Sequence, residues 1–342
     1  MLTVETASQT SSGSQPVSPG PIFETLTRYQ HTMALKGAID LDLFTHIAAG
    51  ASTPEDIAVR SRASERGVRI LCDFLTIIGF LRKADGRYQL SPVSAWFLDK
   101  ASPNYFGSVA QFVADPAMIA RFFDVAALVR RGGAVDDLEK EDVKWVEFAR
   151  LMTPMVGLAA RATAVAVSGS KPGQKVLDIA AGSGIFGLSV AELNPNAEIV
   201  ALDWETVLEV TRENARRRGL EDRFRTIAGN AFQADLGSGY DLVLIPNFLH
   251  HFDPPTNIQL LKRVRASLKP EGRIAVVEFV PNDDRVTPPI AASFSLTMLG
   301  HTPRGDAYTF RELNGMFAEA GFGEGRRQDL LPTPLTLILA GV

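Results

Sequence analysis

One cysteine, Cys72, among 342 residues has nothing to pair with, so a disulfide framework is excluded and a reducing cytoplasm is the expected compartment. No apolar run approaches the ~20 residues needed to cross a bilayer. The N-terminus also lacks the basic and apolar regions of a secretion signal. A positive surplus is missing as well: 35 Lys and Arg against 39 Asp and Glu give a net charge of −4. That balance argues against bulk attraction to nucleic acid or an anionic membrane. What remains is ordinary for a globular protein, with 46% hydrophobic and 22% charged residues. The length exceeds one small core, so two domains are expected.

Residues 1–20, rich in Ser, Thr, Pro, Gly and Gln, read as a disordered tail. From Ile22 to Ile47 apolar residues recur at helical spacing over one or two helices. Thr53-Pro54-Glu55-Asp56 and Ser64 are helix starts, and Asp85-Gly86 supplies the tight turn of a hairpin over Phe80 to Leu90. Two helices and a hairpin predict a winged helix in a domain spanning 21–102. Between Arg60 and Leu90 seven basic residues face three acids. This keeps DNA binding open beside a structural or dimerisation role, although only Arg66 and Arg69 extend from the second helix toward base edges. Further helices are expected over Tyr105 to Val113, Met118 to Val129 and Val143 to Val167, the last kinked at Pro154. They make a connector, 103–170, whose Phe148, Met152 and Met155 offer a soft apolar surface to a small molecule. Gly169 to Gly173 reads as the linker to a last domain, 171–342.

In that last domain strands are expected near 175–180, 198–203, 223–228, 240–246 and 272–279, with helices near 184–194, 205–218, 255–268 and 309–320. The alternation predicts an α/β fold with a parallel sheet between helices, and ligands at the carboxyl ends of its strands. The stretch Lys175 to Gly187 is a buried strand, a Gly182-x-Gly184 turn and a helix start, which is a nucleotide-type cradle. The spacing Gly-x-Gly-x-x-Gly also fits a dinucleotide site. Asp178, at the strand end, would repel a pyrophosphate but suits a ligand with a cationic head. Asp203, ending the next strand, can accept from both ribose hydroxyls.

Acid, glycine turn and acid resemble the S-adenosylmethionine (SAM) site of class I methyltransferases. More of the chain joins that resemblance: Gly229-Asn230-Ala231-Phe232, Leu249-His250-His251-Phe252-Asp253, Leu268-Lys269-Pro270-Glu271-Gly272-Arg273 before Glu278, and Tyr308 to Leu313 leading to Ala320-Gly321-Phe322. In that order they resemble the plant-type (caffeate-like) O-methyltransferase family, in its bacterial secondary-metabolite branch. The resemblance implies a Rossmann-like sheet, parallel with one antiparallel strand near Thr336 to Leu339, and an N-terminal winged-helix domain that forms a homodimer. It implies SAM as methyl donor, a hydroxylated aromatic or polyketide-like acceptor, His250 as base, Glu278 as one of two acids bracing it, and Phe252 over the donor. Asp178, Gly182, Gly184, Asp203, Asn230, Phe232, Asn247 and Met152 are the other donor-site candidates. Met155, Phe294, Met298 and His301 are acceptor-site candidates, with His301 placed on an irregular segment. The family usually has Asp at Asn230, Lys-Trp at Pro246-Asn247 and a second bracing acid near Ala307. No metal is expected, because adjacent histidines on an extended stretch point apart. Transfer to N or C, non-methyl chemistry on bound SAM and a SAM-sensing DNA-binding regulator are the alternatives.

Overall fold

A computed structural model of the chain describes residues 17–135, 143–167 and 174–342. Residues 1–16 of the expected tail and the Gly169 to Gly173 linker lie outside them. The chain divides into two compact units, Met1–Asp99 and Lys100–Val342. The connector therefore belongs to the same compact body as the sheet. Among the described residues no helix is long and apolar enough to cross a membrane.

In the first unit three helices replace the expected one or two: α1 (Gly20–Thr27), α2 (Tyr29–Asp40) and α3 (Leu43–Ala48). Asp42, at φ +53°, makes the break between α2 and α3. Thr53 Oγ1 accepts from Asp56 N to start α4 (Pro54–Ser61), and Ser64 Oγ accepts from Gly67 N to start α5 (Glu65–Ile77). Strands β1 (Leu81–Ala84) and β2 (Arg87–Leu90) pair antiparallel across Asp85-Gly86, both at positive φ as a type I′ turn requires. Asp73 on α5 takes Lys83 at 2.5 Å and the Tyr88 hydroxyl at 2.7 Å, tying helix to hairpin. Helix α6 (Pro92–Phe97) closes the unit.

The second unit opens on α7 (Ser108–Val113), α8 (Pro116–Ala120), α9 (Val125–Arg131), α10 (Val143–Leu151) and α11 (Thr153–Val167). Asp115 and Asp124 cap the starts of α8 and α9, which breaks the continuous helix expected there. Pro154 does not kink a long helix. The chain breaks before it, at Met152, and proline sits in the first turn of α11, where its missing N–H costs nothing.

The sheet runs β5 (Phe224–Ala228), β4 (Glu198–Asp203), β3 (Lys175–Ile179), β6 (Tyr240–Pro246), β7 (Leu268–Glu278), β9 (Thr336–Gly341), β8 (Arg326–Asp329). The first five are mutually parallel, and β9 is antiparallel to β7. Beyond it lies an unexpected edge strand, β8, exposed throughout as Arg-Arg-Gln-Asp and so without an alternating pattern. Helices α12 (Ile185–Leu193), α13 (Glu205–Arg217), α14 (Pro254–Ser267), α15 (Pro289–His301) and α16 (Phe310–Glu319) complete the unit. Strand parity sorts the core. Leu177, Ile179, Val243 and Ile245 join Leu260, Val264 and Phe317 on one face. Val176, Leu242 and Leu244 join Ala160, Leu188 and Val190 on the other. Each such buried Val, Leu, Ile or Phe side chain is worth about 1.5–3 kcal/mol. The order β4-β3-β6 makes β3 and its neighbours the switch point, so loops after β3, β4 and β6 converge there.

Candidate active site

The turn after β3 is built from three positive φ values: Ala180 at +52°, Gly182 at +57° and Gly184 at +73°. Three side chains fasten it. Asp203 Oδ2 accepts from Gly182 N at 2.8 Å, Thr211 Oγ1 donates to Gly182 O at 2.7 Å, and Asn214 Nδ2 donates to Ser183 O at 2.9 Å. Above the turn lie two adjoining hollows that share Ala180, Asp203, Trp204, Phe248 and Phe252. One continues to Gly182, Asn247, His251, Trp145 and Phe148. The other continues to Gly229, Asn230 and Phe232. Together they form one trough with Asp203 at its middle. Asn230 Oδ1 accepts from Phe232 N at 2.8 Å, which leaves its amide N–H groups for a ligand. Phe232 stands edge-to-face with Phe252 at 4.8 Å.

Asp178 borders neither hollow, although Asp203 does. Parity turns Asp178 to the Val176 face, toward α12, where its Oδ2 accepts from Gly187 N at 2.9 Å and its Oδ1 has no hydrogen-bond partner among the described residues. It is fully buried, so its place is beneath the glycine turn rather than at the wall of the trough. Burial raises its pKa to about 8, opposed by the Gly187 N–H and aided by the Asp203 charge. The folded acid keeps its proton to about pH 8, whereas the unfolded one loses it near ~3.9. The unfolded chain thus binds fewer protons across that window, and stability falls as pH rises through it. The melting temperature of Asp178→Asn should therefore fall less than that of the wild type between pH 5 and pH 9. Parallel curves would exclude a raised Asp178.

The residues after β6 are not extended. Leu249–His251 form a 3-10 turn, because Asn257 Nδ2 draws in Leu249 O at 2.8 Å and Phe252 O at 3.2 Å, and Asp306 N holds His250 O at 3.0 Å. The rings of His250 and His251 consequently lie 4.3 Å apart rather than on opposite sides. Glu278, the last residue of β7, reaches this turn. Its Oε1 accepts from Phe248 N at 3.0 Å and His250 N at 3.3 Å, and its Oε2 lies 2.5 Å from His250 Nδ1. Both side chains are buried. No group among the described residues holds His250 Nε2. Asp306, beside Ala307, turns to Arg285 instead, so among the described residues Glu278 alone braces the imidazole.

Phe294 meets His250 edge-to-face at 4.9 Å and stacks on Phe279 at 4.1 Å. His301 is not on an irregular segment. It ends α15, whose apolar residues surround the helix and leave no face for a periodicity to reveal. His301 Nδ1 lies 2.9 Å from Thr297 O, and its ring is 5.4 Å from that of Phe122. Met152 and Met298 are buried and Met155 is half-buried, and none of them lines the trough. Gly184 likewise supports the trough without bordering it.

Residues 133–323 match the family model of the O-methyltransferase domain, and 23–100 that of the O-methyltransferase dimerisation domain. The chain belongs to the O-methyltransferase family. A Nostoc punctiforme crystal structure assigned provisionally to the O-methyltransferases is 46% identical, with a TM-score of 0.92 over 96% of this chain and 100% of that one. The 3-hydroxy-5-methyl-1-naphthoate 3-O-methyltransferase of Streptomyces sahachiroi is 28% identical, covering 98% of this chain and 99% of its own. Human N-acetylserotonin methyltransferase, solved with SAM, shares the fold at 20% identity, with a TM-score of 0.83 over 96% and 99% of the two chains. This methyltransferase is accordingly SAM-dependent, and the DNA-binding regulator reading is left without support. Trp204, Trp145 and Phe248 also border the methyltransferase trough, as does His251, which the sequence offers only as part of the Leu249–Asp253 motif. Trp204 follows Asp203 directly and was open to notice; Trp145 reaches the trough only because α10 packs on α13.

Proposed function

We infer that this methyltransferase transfers the methyl group of SAM to a hydroxyl of an aromatic or polyketide-like small molecule, with His250 as general base. The observation that carries the reading is the buried His250–Glu278 pair beside the trough, with Nε2 left open and Phe294 against the ring. The trough suits the donor. Asp203 borders both hollows while accepting from Gly182 N and Trp204 N, and a carboxylate so placed suits ribose hydroxyls. Asn230 and Phe232 suit an adenine, and aromatic rings suit a cation. When bound, SAM supplies an electrophilic methyl group for in-line displacement.

The protein's own part is to orient, to exclude water and to move one proton. A phenol with its ordinary pKa of ~10 is mostly protonated at neutral pH. His250 Nε2 takes its proton as the oxygen attacks, while Nδ1–H donates to Glu278, which steadies the charged ring. Alignment against the Phe279–Phe294 pair contributes several further kcal/mol.

We assign residues 21–102 to homodimerisation, 103–170 to a helical connector lining the pocket and 171–342 to the SAM-binding methyltransferase domain. The dimer reading is supported by the match over 23–100 and by Ile22, Phe23, Leu26 and Tyr29, each 65 to 69% exposed. A cytoplasmic site fits buried, unpaired Cys72. Calorimetric titration with SAM, and with NADH as the contrasting ligand, followed by a mass-spectrometric screen over phenols, tests the function. SAM should bind and a phenol should gain one O-methyl group. SAM binding with N- or C-methylated products alone would overturn the acceptor reading.

A further inference from the structure

Two polar side chains at one end of the trough have atoms with no hydrogen-bond partner among the described residues. Asn247 and His251 both line the hollow that contains Gly182. Asn247 Oδ1 and His251 Nδ1 are shut off from solvent and unbonded. Asn247 is held by its own N–H, which donates to Val277 O at 2.7 Å, and by φ +51°, a left-handed conformation that Asn tolerates. His251 is wedged between the rings of Trp145 at 5.9 Å, Phe248 at 6.4 Å and Phe252 at 6.1 Å.

Burial first, then repulsion from His250 and His301, hold His251 well below the ordinary histidine range. A neutral ring carries one N–H. On the shielded Nδ1 that hydrogen would be an orphan donor, so it belongs on Nε2. Asn247 has the same polarity: with Oδ1 shut off, its amide N–H groups remain, and no described residue accepts from them. Each side chain thus offers N–H and carries no charge. Asp203 stands mid-trough and Asn230 with Phe232 at the other end, so a donor whose ribose sits at Asp203 leaves its amino-acid end to this hollow.

We propose that His251 and Asn247 grip the carboxylate at the amino-acid end of SAM through neutral N–H groups. A lysine or arginine would also bind that carboxylate, but its charge would oppose the nearby sulfonium in a site of low dielectric. Neutral donors hold one without opposing the other. The inference rests on the donor reading above.

Calorimetry on the full-length protein tests it with S-adenosylhomocysteine and with 5′-methylthioadenosine, which lacks the amino-acid end. His251→Phe keeps the ring packing and removes the N–H. It should weaken S-adenosylhomocysteine about tenfold and leave methylthioadenosine unchanged, the latter also showing that the site is folded. His251→Asn should recover part of the loss, and Asn247→Ala should repeat it. Equal loss for both nucleosides, no loss for either, or an effect confined to the acceptor KM would overturn the proposal. Failure of the wild type to bind SAM or S-adenosylhomocysteine would instead remove the donor reading itself.

Discussion

Glu278→Gln should lower kcat for a phenolic acceptor by about 10²–10⁴ while SAM affinity stays nearly unchanged. The carboxylate performs two tasks with its two oxygens. Oε1 collects the N–H groups of Phe248 and His250, which fixes the backbone of the turn, and Oε2 faces His250 Nδ1 at 2.5 Å. Glutamine can serve only one of them. With its carbonyl on the backbone amides, its NH2 meets Nδ1, forces that nitrogen to accept and moves the imidazole hydrogen to Nε2. The base is then blocked by its own proton. In the opposite orientation the NH2 confronts two N–H groups and the turn loosens. His250→Ala should cost about as much, and the double variant little more, because the pair acts as a unit. The measurement is kcat at saturating acceptor beside calorimetric SAM affinity. Full activity in Glu278→Gln would show that Glu278 does not set the tautomer, and full activity in His250→Ala that another group takes the proton.

Strands β3, β4 and β6 are legible because they are almost continuously buried, and the turn after β3 is marked by glycine. The expected strand over 240–246 is the observed β6, and helices α12 to α14 and α16 fall within about two residues of expectation. What escaped has physical reasons. Edge strand β8 carries four exposed polar or charged residues, so no hydrophobic alternation could announce it. Helix α15 is apolar around its circumference, so its sequence shows no period and nothing in it marks His301 as helical. In place of the kink expected at Pro154 the helix breaks two residues earlier, at Met152, since proline prefers a first turn to a helix middle.

At the site, residue types were easier to read than directions. Asp203, Asn230, Phe232, Asn247 and Phe252 border the trough, as their places after strands imply. Asp178 was read as an acid at a strand end. Its direction depends on strand parity and on how far β3 runs before turning, and one residue decides which face a side chain takes. The two histidines show the same limit. Their separation depends on a 3-10 turn stabilised by Asn257, from α14, and by Asp306, from the segment before α16, neither adjacent in sequence.

Gly184→Ala should both destabilise the protein and weaken donor binding, and a second substitution should divide that loss into its causes. At φ +73° an alanine bears roughly 1–2 kcal/mol of backbone strain. Its methyl group would also collide with Thr211 Cγ2, adding about 1–3 kcal/mol of overpacking. Thr211 has little room to yield, because its Oγ1 holds Gly182 O at 2.7 Å and so fixes the turn. Pushing it aside tilts the turn against Asp203 and re-aims the first N–H groups of α12. Thr211→Ser deletes Cγ2 and keeps the hydroxyl. The double variant Gly184→Ala/Thr211→Ser should therefore recover the collision part of the lost stability and much of the SAM affinity, but not the strain at φ +73°. Thermal melting and calorimetric titration of the four proteins give both quantities. If the double variant melts no higher than Gly184→Ala, strain alone governs Gly184, and the contact with Thr211 contributes nothing.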